Sequence, residues 1–195
     1  MKGDITLEET IRNVIEICLD RKKIRGTIKE GCILDDTVIL WSMNTEGDNE
    51  INDEYNMIKE LENFGLPVVE IHKLYVQVKK RMCIALIEEF LKGELYKPHD
   101  KRFKMHVNDS LKEQIINIYN ILQNNNILIE DLQWIYNDKK LTIIDPFKVY
   151  KLDDTTKTYV VLGGIQDKRR KSYNILKANF NLQLNNLLNL LNLCL

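Results

Sequence analysis

The stretch NILIEDLQWIYNDKKLTIIDPFKVYK, Asn126–Lys151, decides how the chain is read. Two short β-prone runs, QWIYN and LTIID, flank the polar turn Asp138-Lys139-Lys140; the acidic pair Glu130-Asp131 precedes the first run and Asp145 closes the second. This is a β-hairpin pattern, and Pro146, which cannot donate to a ladder, ends it. A hairpin returns the chain to its start, so Asp131 and Asp145 are expected side by side.

Upstream, NDSLKEQIINIYNILQNNN sets Leu111, Ile115, Tyr119 and Leu122 at helical spacing, with Ser110 and Glu113 as a capping box. Before it lies a polar stretch with Gly93 and Pro98, preceded by LPVVEIHKLYVQV and RMCIALIEEF, two strand-like runs around the basic turn Lys79-Lys80-Arg81. Earlier still, Ile51, Tyr55, Ile58 and Leu61 line one face of a helix that Gly65 and Pro67 stop. IRGTIKEGCILDDTVILWSM, Ile24–Met43, reads as two or three antiparallel strands, and Leu7–Lys22 as an amphipathic helix with Leu7, Ile11, Val14, Ile15 and Cys18 on its apolar face. Downstream, Leu184, Leu187, Leu188, Leu191 and Leu195 repeat at helical spacing in an Asn-rich tail that packing must hold, since Asn is a poor helix former.

The 195 residues suit one domain, or two small lobes sharing a core, and 44% hydrophobic with 29% charged residues is ordinary globular usage. With 28 basic against 29 acidic residues the formal net charge is -1, so no overall field draws the chain to nucleic acid or anionic lipid. No run approaches the roughly 20 apolar residues of a membrane span, and the acidic start MKGDITLEET is unlike a signal peptide. A cytoplasmic location, or export without a Sec signal, is expected. The four cysteines, Cys18, Cys32, Cys83 and Cys194, have no C-x-x-C spacing and are read as free buried thiols. His72, His99 and His106 are too scattered for a metal set, Trp41 and Trp134 read as core aromatics, and the basic run Asp167–Ser172 reads as solvated.

The order of elements is a small sheet, one helix after its third strand, two more strands, an acidic hinge, then a helix, a short loop and a hairpin ending in Asp. It resembles the protein kinase fold over roughly Ile24 to Phe147. The resemblance implies an α+β chain, bilobal and kinase-like. Its antiparallel N-lobe sheet with the N-terminal helix would run to residue 88, followed by a reduced helical C-lobe over 89–195. It implies ATP and Mg²⁺ as cofactors, bound in a cleft between the lobes, and transfer of the γ-phosphoryl group to Ser or Thr of a protein. Asp131 takes the place of the catalytic Asp that accepts the hydroxyl proton, and Asp145, in IIDPF, that of the metal-binding Asp after the hairpin. Gln133, just before the hairpin, takes the place of the metal-binding Asn, since a carboxamide oxygen ligates Mg²⁺. The hinge IEEFLKG, Ile87–Gly93, would offer backbone groups to adenine at Glu88 and Phe90.

Several positions depart from the family's pattern. Ile129 and Glu130 stand where the family has His and Arg, the loop after Asp131 is shorter, and no Lys lies between Ile33 and Glu50, so Trp41 occupies the place of the phosphate-binding Lys. Glu54 is the candidate helix Glu, and Lys29, one strand earlier, is its candidate partner and phosphate anchor. The chain is similar to pared-down kinases of bacterial effector, phage and toxin systems. A pseudokinase that binds a protein partner through the Leu-rich tail or N-terminal helix is the alternative this resemblance leaves open.

Overall fold

A computed structural model of the chain describes residues 18, 24–25, 28–78, 80–100, 102–103, 108–137, 139–146, 148–164 and 171–192. The helix expected over Leu7–Lys22, Cys18 apart, lies outside these residues, as do His106, Phe147, most of the basic run at 167–172, Cys194 and Leu195. The described chain is α+β, with three α-helices and antiparallel sheets. Its contacts divide it into two units. Tyr55 is the last residue of the first unit's earlier part, which Glu70–Phe90 completes; Asn56–Val69 joins the residues from Leu91 onward in the second.

In the first unit, β1 (Ile24–Arg25), β2 (Lys29–Leu34), β3 (Thr37–Ser42), β4 (Ile71–Val78) and β5 (Arg81–Glu89) form one antiparallel sheet in the order β1-β2-β3-β5-β4. Asp35, at φ 53, makes the two-residue turn that sets Leu34 opposite Thr37; a short polar side chain tolerates this left-handed backbone. Helix α1 (Thr45–Asn63) is capped by Asn44, whose Oδ1 accepts from the Gly47 N–H at 2.8 Å. A Cβ at Gly47 would lie 2.3 Å from the Ile28 carbonyl oxygen, so only glycine lets the helix start this close to the strand beside it.

The first half of α1 is held to this sheet by polar links. Asp48 accepts from Ser42 Oγ, Arg81 and the Ile84 N–H, and Asn52 accepts from Lys73 Nζ at 2.7 Å. Burial pushes the Asp48 carboxyl up, but the Ser42, Ile84 and Arg81 contacts outweigh it and leave the group below its ordinary range.

Trp41, Ile39, Cys32, Val76, Cys83 and Ala85 form the first unit's core, so Trp41 is a core residue. The same cluster corrects the reading of the cysteines. Cys18 and Cys32 are joined in a disulfide, with Cα atoms 5.9 Å apart, while Cys83 is a buried free thiol whose pKa burial raises. The bond closes a separation of 14 residues, a span on which chain-entropy models put about 3 kcal/mol. Cysteine spacing shows no such pairing because tertiary packing, not a local motif, brings the two residues together.

The second unit begins in the last turns of α1. Gly65, at φ +83, ends the helix, and its N–H donates to Glu62 O at 2.8 Å. Val68 then bridges Ile143 in parallel. Strands β6 (Glu94–Tyr96), β8 (Trp134–Tyr136) and β9 (Leu141–Ile143) form one sheet in the order β6-β8-β9; β7 (Ile127–Ile129), β10 (Val149–Asp153) and β11 (Thr158–Val161) form another in the order β11-β10-β7. Helix α2 (Asp109–Asn125) and helix α3 (Tyr173–Asn192) close the core with Leu111, Ile115, Ile118, Leu122, Leu176, Phe180 and Leu187. No described helix is long and apolar enough to cross a membrane.

The hairpin β8/β9 and the helix before it match the expected order, but its details differ. The cap of α2 is Asn108 rather than Ser110. Asn108 is extended, at φ -110 and ψ 178, and its Oδ1 accepts from the Leu111 N–H at 2.9 Å. Strands β6 and β7 occupy segments expected as loop. Asn108→Ala is therefore expected to lower unfolding stability by about 1 kcal/mol in urea titrations, whereas Ser110→Ala leaves it within a few tenths.

Candidate functional site

The hairpin's two acids lie at turns of the second unit, not within its strands. β7 ends at Ile129, β8 begins at Trp134, and the loop between them carries Glu130, Asp131, Leu132 and Gln133. Asp131 is exposed with φ 56, and Asp145, one residue past Ile144, is exposed with φ 42. Backbone bonds hold both turns: Glu130 N–H donates to Lys148 O at 3.0 Å, and Ile144 N–H to Gln133 O at 3.2 Å. The second bond ties the residue before Asp145 to the end of the Asp131 loop, which is how the ribbon brings its two margins together.

Strand β7 aims this loop, and a side chain holds β7. One side of β7 pairs with β10, in the register Val149↔Ile129 and Lys151↔Ile127. On the other side Gln183 of α3, buried at 6% exposure, accepts from the Ile129 N–H through Oε1 at 3.0 Å and donates from Nε2 to Ile127 O at 3.1 Å. One carboxamide thus satisfies the donor and acceptor that a neighbouring strand would otherwise meet.

Asp131 is engaged at both oxygens. Lys97 Nζ pairs with Oδ1, and Gln133 Nε2 donates to Oδ2 at 2.5 Å. Gln133, expected as a metal ligand, thus turns its NH₂ end to Asp131, which leaves its carbonyl oxygen for other work. The Asp145 carboxylate takes no hydrogen bond or ion pair from another described residue. Glu130 pairs with Lys171. Lys97, His99, Glu130, Asp131, Leu182 and Asn186 are among the residues that line a cavity of 360 Å³ beside the loop. Among the described residues no group of three or more His, Cys, Asp or Glu side chains is arranged to hold a metal by itself. A Mg²⁺ ion here would rely on one or two protein oxygens completed by phosphate and water, a usual arrangement for that ion.

In the first unit, Lys29 of β2 bonds Glu54 of α1 at 3.0 Å and Glu50 at 2.8 Å. Burial pulls the Lys29 pKa down, but attraction and hydrogen bonding to Glu54 and Glu50 outweigh it, and the net shift is upward. Lys29 and Glu54, paired in the sequence reading, do meet. Glu88 lies on β5 opposite Val38 and Ile71, and the Phe90 N–H donates to Asp36 O at 2.8 Å. The Phe90 donor is thus taken within the protein.

Lys97 and Gln183 escaped sequence reading, and Lys171, expected in a solvated basic run, pairs with Glu130 instead; each reaches its partner across 34 to 56 residues. Only the acidic pair Glu130-Asp131 hinted that cations had to be found for it. His99 lines the cavity, while His72 sits on the surface 3.3 Å from Glu70. No protein-family model, no curated protein and no solved structure matches the chain.

Two outcomes follow from these contacts. Gln183→Leu keeps the volume but orphans the Ile129 N–H and Ile127 O, so urea unfolding is expected to show a loss of roughly 2–4 kcal/mol despite the more apolar side chain. Lys29→Met is expected to cost about 1–2 kcal/mol near neutral pH. Because the folded pKa of Lys29 is raised, its contribution is complete below the ordinary lysine value of 10.5 and is lost as pH rises through the higher folded value, so the gap between variant and wild type closes only in that alkaline range.

Proposed function

We propose that the chain is a minimal protein-kinase-like domain that binds ATP with Mg²⁺ and transfers the γ-phosphoryl group to a Ser or Thr hydroxyl of a protein. The observation that carries this reading is the Asp145 carboxylate: exposed, without a described partner, and tied through the Ile144–Gln133 backbone bond to the loop that holds Asp131. A hard oxygen ligand without a described partner, on a turn bonded through its backbone to the loop of a second carboxylate, fits the needs of phosphoryl transfer.

Each residue has a stated task in this reading. Asp131 orients the acceptor hydroxyl and takes its proton; Asp145 and the Gln133 carbonyl oxygen hold the metal. Lys29, steadied by Glu54, neutralises phosphate charge. When bound, Mg²⁺ draws charge off the phosphate oxygens and fixes their geometry. Backbone groups near Glu88 and Phe90 serve adenine, although the Phe90 N–H is already given to Asp36.

The donor taken at Phe90, together with the missing Lys on β3, supports a second reading: a pseudokinase that binds a protein partner and transfers nothing. A cytoplasmic location, or export without a Sec signal, belongs to the same proposal, and the Cys18–Cys32 disulfide favours an oxidising destination and hence export.

Thermal unfolding with ATP and Mg²⁺ separates the two. At about ten times the dissociation constant a native-state ligand adds roughly 1.4 kcal/mol, an upward shift of about 3–6 °C for a chain of this size. The kinase-like reading expects that shift to require Mg²⁺ and to vanish in Asp145→Ala. No shift at millimolar ATP leaves the pseudokinase reading standing.

A further inference from the structure

Lys97 reaches Asp131 by construction. Tyr96, the last residue of β6, pairs with Trp134, the first residue of β8, so Lys97 leaves the sheet just where the Glu130–Gln133 loop enters it. The chain after Lys97 turns back at once, Asp100 N–H donating to Lys97 O at 2.9 Å and Phe103 N–H to Asp100 O at 3.2 Å. Phe103, fully buried, anchors the turn with its ring 5.0 Å from Tyr96, 5.2 Å from Trp134 and 6.0 Å from Tyr136. An ordinary surface ion pair contributes little because two long side chains must be ordered for it. Here the backbone under Lys97 is already ordered by a strand register, a turn and an aromatic cluster.

The two oxygens of Asp131 are then held from opposite sources, one by Gln133 two residues away and the other by Lys97 from a different strand. Asp131 is exposed and sits in a left-handed turn, so its carboxylate would rotate freely without them. The 360 Å³ cavity lies against this pair and shares Lys97 and Asp131 as lining. That volume is at the small end for ligand sites, enough for one hydroxyl-bearing side chain and its flanking backbone.

We infer that Lys97 is a positioning residue for phosphoryl transfer: it fixes the Asp131 carboxylate toward the cavity, and the cavity receives the Ser or Thr acceptor. This rests on the kinase-like reading above. In the step so arranged, the acceptor oxygen forms a bond to the γ-phosphorus of ATP, the bond from that phosphorus to the β-phosphate oxygen breaks, and ADP leaves with the electron pair. The hydroxyl proton passes to Asp131 and from there to water. Lys97 takes no part in the bonds; its ammonium keeps Oδ1 still so that Oδ2, one lone pair of which accepts from Gln133, meets the hydroxyl with the other.

The test uses the full chain with radiolabelled ATP, Mg²⁺ and an arrayed library of Ser- and Thr-containing peptides, with Mg-ATP thermal shift measured in parallel. Lys97→Met should lower kcat roughly 100-fold, the scale of a misoriented general base, with KM for ATP and the Mg-ATP shift unchanged. Lys97→Arg should recover most of that loss, since it restores the cation at the same place. Leu182→Trp, at an exposed position on the cavity wall, should raise the peptide KM about tenfold or more and leave the ATP parameters alone. A Lys97→Met protein that turns over like wild type overturns the inference while the kinase-like reading stands. A wild type that shows the Mg-ATP shift yet labels no peptide overturns the acceptor site alone. A wild type with neither shift nor label overturns the reading of the site, and Lys97's role with it.

Discussion

The carboxamide of Gln183 is the contact on which the second unit's loops depend. Strand β7 has only three residues and one paired edge; its other edge would bury a donor and an acceptor with nothing to meet them. A single glutamine on α3, bonded to Ile129 N–H and Ile127 O, supplies both and so fixes the strand to the helix as well as to β10. Everything at the end of β7 inherits that placement: Glu130, whose N–H continues the ladder to Lys148 O, then Asp131 and Gln133. A leucine there would bury more apolar area but leave two backbone groups unmet, and a buried unmet group costs more than one methylene gains.

The first unit solves a related problem with charge. Its sheet must hold a helix whose face toward the strands carries Asp48, Asn52 and Glu54, and each finds a partner on a strand: Arg81 and the Ile84 N–H, Lys73, and Lys29. Lys29 shows how such a pair survives part-burial. Desolvation alone would favour the neutral amine, yet two carboxylates within hydrogen-bonding reach reverse the balance and keep it charged.

How much of this was legible depended on whether a pattern was local. Helix α1 announced itself through Ile51, Ile58 and Leu61, all buried, with Gly65 and Pro67 as its stop; α2 did so through Leu111, Ile115 and Leu122. Polar turn residues between two β-prone runs gave away the β8/β9 hairpin. The rest was hidden by range or by shortness. Strand β7, Ile-Leu-Ile and wholly buried, has no alternation to betray it, and β6 is three residues whose partner lies forty residues on. Asn108 outranked Ser110 as a cap because backbone conformation, not residue type alone, decides which side chain meets the first free N–H groups. Cys18 and Cys32, Lys97 with Asp131, and Gln183 with β7 are tertiary pairings that no spacing encodes.

Backbone geometry explains why the candidate site is built from aspartates at turns. Asn126, Asp131, Asp145 and Lys148 all have φ between 42 and 56, and they bracket β7 and the β8/β9 hairpin. A left-handed L-residue costs on the order of 1–2 kcal/mol, least for Asn and Asp, whose short polar side chains bond locally. These positions persist because bonds on either side hold them: Asn126 N–H to Gln123 O, Leu152 N–H to Asn126 O, Glu130 N–H to Lys148 O and Ile144 N–H to Gln133 O. The same turns that end the strands push Asp131 and Asp145 out of the ladder and into solvent. Strand positions could not have done this, since the residues of β7 and β9 are buried throughout. Two accessible acids thus stand at the ends of the buried strands β7 and β9 on left-handed turns, at residues able to tolerate them.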